Sequence, residues 1–296
     1  GIKYYWKKDD KYVESIAFNR RLRNLKIKED ADISAYTIST SFGCVLSATE
    51  QQCRFCETGT LKFGGHLRAE DIALQCIFMA EYDSNCPSYK QVRNNAREFA
   101  FMGQGEPGYC YPAIKRAIMY TDYVMDKLGQ KVSRYVISTC GVTEFIQALT
   151  EDLKNSVFKN KITIHLSLHE IDEKRNELMP INKVHPMDDL REAISEYIDK
   201  TNRRVTFEYI MLKGVNDDIV YARQLAHYLR GLNAYVNLIP YNSVDEHGYQ
   251  PSDKETVEIF KNELLRLHIN VTLRKEHGRD IDGACGQLRA KRSGVK

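Results

Sequence analysis

The sequence predicts an α/β fold, an open or closed barrel of parallel strands joined by crossover helices. Three observations carry that expectation. From about Tyr36 onward, short β-branched or aromatic runs alternate with amphipathic stretches. The 296 residues suffice to bury one sizeable core. No low-complexity segment or Pro/Gly-rich linker divides the chain, so one domain over 36–296, preceded by an N-terminal extension over 1–35, is the simplest division.

Taken in order, the expected strands are AYTISTSF (35–42), REFAFMG (97–103), SRYVIST (133–139), ITIHLSL (162–168), RVTFEYIM (204–211) and AYVNLIP (234–240). Each is a short run of β-branched or aromatic residues bounded by polar or turn-forming ones. Between them lie helical patterns such as AEDIALQCIFMAEY (69–82), AIKRAIMYTDYVMDKL (113–128), MDDLREAISEYID (187–199) and IVYARQLAHYLRGL (219–232), whose apolar residues recur every three to four positions. A further strand, INVTLRK (269–275), follows another helix near the end. Strand–helix repetition of this kind makes parallel neighbours, and in parallel barrels the loops after the strands carry the chemistry.

Lys plus Arg exceeds Asp plus Glu by 43 − 40 = 3, so the total charge gives no strong footprint for nucleic acid. The basic run RAKRSGVK (289–296) reads as a solvated tail. No apolar run is long enough to span a bilayer and no signal peptide opens the sequence, so the expectation is a cytoplasmic protein without a membrane partner. In a reducing compartment the eight cysteines are free thiols or ligands.

Three of them share one polar loop, SFGCVLSATEQQCRFCETG (41–59): Cys44, Cys53 and Cys56, with gaps of eight and two residues. Spacing alone leaves three readings open. Structural zinc needs four ligands, with His66 available as a recruit. A C-x-x-C redox pair is a second reading. The third is a [4Fe–4S] cluster held by three thiolates, with one iron left open for chemistry.

The chain also resembles a known family. FMGQGEP (101–107), ISTCGV (137–142), LSLHEIDEKRNELMPIN (166–182), VTFEYIMLKGVND (205–217), VNLIPYN (236–242) and GRDIDGACGQL (278–288) are similar, in order, to successive motifs of RlmN and Cfr. Those are radical S-adenosylmethionine (radical SAM) methyltransferases that modify adenosine in ribosomal RNA. The resemblance implies a partial (β/α)6 barrel with a short N-terminal extension and an extra C-terminal strand. It implies that Cys44, Cys53 and Cys56 bind a [4Fe–4S] cluster whose open iron chelates SAM. An electron donor such as flavodoxin or ferredoxin is implied as a partner.

By the same resemblance, Gly105 and Glu106 contact SAM, a carboxylate being a sensible charge-assisted partner for its ammonium. Ser138 matches a further SAM contact, as do Ser167, Leu168 and His169. Asn242 matches a residue that binds the nucleoside. Cys285 matches the cysteine that takes a methyl from one SAM and, once its S-methyl is activated, delivers a carbon radical to an sp2 carbon. A thiolate is a competent methyl acceptor.

Three departures stand out. The family's first cysteine gap is three residues, against eight here. Its resolving cysteine, seven positions before the first cluster cysteine, is Thr37, a much poorer nucleophile. Its proton-accepting glutamate, twenty positions before that cysteine, falls on Asn24, with Glu29 or Asp30 nearby if the alignment shifts. Cys110 and Cys140 are other thiols near strand ends. The leading expectation is therefore methylation of an unactivated carbon through S-methyl Cys285, on a nucleotide, RNA or small-molecule substrate. One alternative is radical C–H modification with SAM as oxidant only. Another is a zinc-stabilised barrel that binds a nucleotide.

Overall fold

The runs expected to be strands are the spine of one nine-stranded sheet. A computed structural model of the chain describes residues 2–21, 32–85, 96–242 and 247–274. The parallel part begins with β3 (Asp32–Thr37) and continues through β6 (Ala96–Phe101), β7 (Lys131–Thr139), β8 (Lys161–Ser167), β9 (Val205–Met211), β10 (Ala234–Pro240) and β11 (Val271–Leu273), in that spatial order. Both faces of such a sheet are covered, so its strands are rich in buried apolar residues rather than strictly alternating. Tyr36, Phe99 and Tyr135 from β3, β6 and β7 stack at 5.2 and 5.7 Å between ring centroids.

The crossovers are helical. They are α1 (Ala69–Asn85), α2 (Tyr111–Lys127), α3 (Thr143–Lys154), a single turn α4 (Arg175–Leu178), α5 (Met187–Thr201), α6 (Ile219–Tyr228) and α7 (Lys254–Arg266). On α2, Ile114, Ala117, Ile118, Thr121 and Met125 are buried at three-to-four-residue spacing, which lays one stripe on the sheet. α6 starts where Asp218 accepts a hydrogen bond from the Val220 N–H at 2.8 Å, a side-chain N-cap. It ends at Tyr228, short of the expected 232, in a turn through Gly231 at φ +82°. The whole is an α/β partial barrel, and among the described residues no helix is long and apolar enough to cross a membrane.

Two features differ from the sequence expectations. The segment 1–35, expected only as an N-terminal extension with no strand assigned to it, supplies two antiparallel strands, β1 (Ile2–Lys8) and β2 (Lys11–Arg21), joined at Asp9–Asp10 and paired onto β3. The run expected to be a strand over 35–42 leaves the ladder after Thr37. Its backbone bends over the end of β6, where the Thr40 and Ser41 N–H groups both donate to Gln104 O at 2.8 and 3.2 Å. Ser41–Phe42 (β4) then pairs with Gly65–His66 (β5) instead. The thiol loop thus follows the third strand of the chain, which is the first of the parallel ones.

Candidate functional site

The β4–β5 pinch closes the base of the thiol loop. Gly64 N–H donates to Phe42 O at 2.8 Å, and Leu67 N–H to Thr40 O at 2.9 Å. Lys11, at the start of β2, reaches Gly64 O at 2.5 Å and braces the loop from the N-terminal hairpin. Inside the loop, Val45–Ala48 forms a helical turn whose Leu46 is buried. The CRFC stretch docks on the far side: Arg54 N–H donates to Leu178 O at 3.0 Å, and the Phe55 ring meets the edge of His169 at 4.9 Å between centroids.

This docking sets Cys44, Cys53 and Cys56 beside the carboxyl ends of the parallel strands. Burial pushes the Cys44 thiol well up, and the neighbouring thiols of Cys56 and Cys53 and the carboxylate of Glu106 act in the same direction. Cys140, just past β7, lies 3.6 Å from Cys53, sulfur to sulfur. His66 is exposed on β5 against Phe63, and among the described residues no three Cys, His, Asp or Glu side chains form a single-ion site. Three soft thiol donors on one closed loop suit an iron–sulfur cluster by their chemistry.

Glu106, buried, lies five residues beyond β6. Its Oε1 accepts from Gly108 N–H at 2.8 Å and from the Thr139 hydroxyl at 2.6 Å, and its Oε2 from Cys140 N–H at 2.8 Å. Burial pushes the carboxyl up, against the pull of these bonds. The carboxylate caps the turn Pro107–Cys110 and ties the segment after β6 to the end of β7. Gly105 must be glycine: its φ is +110°, and a Cβ there would overlap Ser41 Oγ and stand 2.5 Å from Thr40 Oγ1.

The other expected contacts also fall at strand ends. Ser138 in β7 is register partner to His165 in β8. Ser167 ends β8, and Leu168 and His169, both buried, follow it. His169 adopts φ +60°, its Nδ1 accepts from Ile210 N–H at 3.0 Å, and burial lowers its pKa to about 3, so the ring is a neutral brace between β8 and β9. Asn242 lies two residues beyond β10, buried, with Oδ1 lacking a hydrogen-bond partner among the described residues. Thr37 ends β3 opposite Ala100 of β6. Cys110 is buried at the start of α2, its thiol pushed up to about 12 by burial. Cys285, Asn24, Glu29 and Asp30 lie outside the described residues.

Sequence reasoning missed three features. The Gln104 side chain is buried with neither amide atom hydrogen-bonded among the described residues, although its place in GQGEP marked it. His165, Glu208 and Asn237 form a polar ladder across β8, β9 and β10, at 2.7 and 2.9 Å, for which alternation in the strands was the available signal. Arg175 is fully buried and joins the ends of β7 and β8 through Cys140 O and Ser167 O, a link between distant segments that spacing cannot reveal.

No family model matches the chain. It is 38 % identical over 261 residues to a probable dual-specificity RNA methyltransferase RlmN of Spiroplasma citri, covering 87 % of this chain and 69 % of that one. To the protein of the same description in Carboxydothermus hydrogenoformans it is 34 % identical over 293 residues, covering 98 % and 77 %. The chain spans about two thirds to three quarters of the length of such curated relatives. Its fold superposes on the crystal structure of a radical SAM methyltransferase from Sphaerobacter thermophilus with a TM-score of 0.80, at 28 % identity, covering 98 % of this chain and 77 % of that one.

Proposed function

The chain belongs to the RlmN family of radical SAM methyltransferases, and from that premise we propose that it methylates an unactivated carbon of a nucleotide base in RNA, with Cys285 as methyl carrier. Radical SAM enzymes use SAM and a [4Fe–4S] cluster. The observation that carries the reading is the docking of a three-thiol loop beside Cys140 and Glu106 at the strand ends, with Ser138, Ser167 and Asn242 at or just past the ends of their own strands.

Cys44, Cys53 and Cys56 would hold the cluster. When bound, it would supply the electron for reductive cleavage of a carbon–sulfur bond of SAM to a 5′-deoxyadenosyl radical, taken from a small redox protein such as flavodoxin or ferredoxin. The remaining work belongs to the chain's own residues. Glu106 presents a carboxylate whose orientation three donors fix, so it meets an ammonium without reorganising. Gly105, at φ +110°, lets the backbone pack directly against Thr40 and Ser41 and so sets the position of Glu106. The buried amides of Gln104 and Asn242 offer unfilled hydrogen-bond capacity, which a polar ligand satisfies. The polar ladder of His165, Glu208 and Asn237 fixes groups across neighbouring strands. Cys285 accepts the methyl group as a thioether.

The test is incubation of the anaerobically reconstituted chain with methyl-deuterated SAM, followed by digestion and mass spectrometry. The expected result is a deuterated S-methyl group on Cys285, with S-adenosylhomocysteine and 5′-deoxyadenosine both released. Cleavage to 5′-deoxyadenosine without S-adenosylhomocysteine would reject methyl transfer. It would favour the second reading, radical C–H modification with SAM as oxidant only, which rests on Thr37 standing at the end of β3 where the family has its resolving cysteine.

A further inference from the structure

Arg175 is a buried cation whose hydrogen bonds all go to neutral acceptors. It is 0 % exposed. Its Nε donates to Leu168 O at 3.1 Å and its Nη1 to Asn182 Oδ1 at 2.9 Å; its Nη2 donates to Cys140 O at 2.6 Å and Ser167 O at 3.0 Å. Among the described residues it has no carboxylate within ion-pair distance. A buried charge without a counter-ion costs several kcal/mol even after relaxation. Carbonyl dipoles offset part of that, so an anion should lie nearby.

Two candidates face it. Glu106 is within electrostatic reach, but it makes no ion pair with Arg175, and the functional reading above gives its carboxylate to the ammonium of a ligand. The other is sulfur: Arg175 Nη2 holds the carbonyl of Cys140 at 2.6 Å, and the sulfur of that same residue faces the thiol loop. Cys53 is one of the three thiols of the loop, and its neighbour Cys140 is 3.6 Å away. An oxidised [4Fe–4S] core carrying three thiolates has net charge 2 − 3 = −1, and one added electron makes it −2. A fixed cation beside it stabilises the reduced form more than the oxidised one, and net charge is among the factors that set cluster potentials.

We propose that Arg175 is the fixed counter-charge of the iron–sulfur cluster, a positioning residue that raises its reduction potential and so eases electron entry. The proposal rests on the functional reading above. It concerns electron supply, which that reading leaves open.

The decisive variant is Asn182→Asp. It is isosteric, sets a carboxylate against Arg175 Nη1, and neutralises the guanidinium without removing it. The Asn182 Nδ2 bond to Asn176 Oδ1 (2.8 Å) can be restored by a flip of the Asn176 amide. Arg175→Lys is the companion that keeps the charge but not the four-way bonding. The full-length chain is compared with and without reconstituted iron and sulfide, reading iron and sulfide content, the thermal midpoint of the cluster-free chain, and the cluster midpoint potential by EPR-monitored titration.

For Asn182→Asp we expect a higher thermal midpoint of the cluster-free chain than in the wild type, because the buried cation has gained a partner. We also expect the reduction equilibrium to fall by tenfold or more, which is about 59 mV for a one-electron couple. Arg175→Lys should keep the wild-type potential while its thermal midpoint falls. A folded Asn182→Asp chain that retains less iron and sulfide supports the pairing as well. An unchanged potential in loaded Asn182→Asp overturns the proposal, and so does an Asn182→Asp chain that is less stable than wild type without its cluster or fails to fold. Failure of the wild-type chain itself to take up iron and sulfide sinks the functional reading, a separately visible result.

Discussion

Replacing His169 by Asn isolates one term in the acid stability of this fold. The ring is 4 % exposed, and burial, aided by the charge of Arg175, lowers its pKa from 6.5 to about 3. A group depressed in the folded state contributes stability that is complete above its unfolded pKa. That stability is lost as the pH falls through the window from 6.5 towards the folded value. The shift of 6.5 − 3 = 3.5 units corresponds to about 5 kcal/mol over the whole window, and to about 2 kcal/mol between pH 6.5 and 4.5, because at pH 6.5 the unfolded ring is already half protonated. Asparagine tolerates the left-handed backbone at φ +60°, carries an oxygen able to accept the Ile210 N–H, and does not titrate. Urea unfolding of the cluster-free chain at a series of pH values measures the effect. The wild type should lose about 2 kcal/mol more than His169→Asn over those two pH units. At neutral pH the variant should be weaker by about 0.5–1.5 kcal/mol, for the lost edge contact with Phe55. Parallel stability–pH curves for the two chains would refute the reasoning, since they would mean that the buried ring is not held neutral.

Two further substitutions probe the approach to the thiol loop. Gly105→Ala forces a side chain into φ +110° and against Ser41 and Thr40, and should cost about 1–3 kcal/mol in urea unfolding from strain alone. It should also weaken SAM binding measured by equilibrium dialysis. Leu46→Ala removes the buried anchor of the loop and should cost about 2–5 kcal/mol. The iron and sulfide retained after gel filtration should fall with it, whereas an undiminished iron content would show that the loop holds its thiols without that anchor.

The parallel strands were legible because β-branched and aromatic runs buried on both faces have few alternatives, and β10 falls on the expected bounds of 234–240. The gathering of three thiols on one loop was legible from the cysteine spacing, and its position after a strand followed from the fold class. The N-terminal hairpin was not. Its sequence IKYYWKKDDKYVESIA mixes aromatics with lysines, and what makes it sheet is pairing onto β3 and the packing of Tyr4 and Trp6 on Phe78 of α1, a long-range contact. The Asp9–Asp10 pair between aromatic runs was the available signal, and Asp9 does adopt φ +55°. Arg175 was hidden for a different reason. Three of its four acceptors are backbone carbonyls, and a carbonyl leaves no mark in the letter code. The proximity of Cys140 to Cys53 likewise spans 87 positions and belongs to the fold rather than to any motif.

The stretch between Cys44 and Cys53 folds on itself. Ser47 and Gln51 return hydrogen bonds to Cys44 O and Leu46 O, and Leu46 pins the excursion to the core. Lengthening a flexible excursion from three to eight residues costs only about 0.9 kcal/mol in closure entropy, less than such an anchor returns. Ligand spacing is therefore a weakly constrained variable wherever both ends of a segment are tied down independently. A search keyed to one fixed interval between the first two cysteines would pass over this chain, while one keyed to the pinned ends and their apolar anchor would find it.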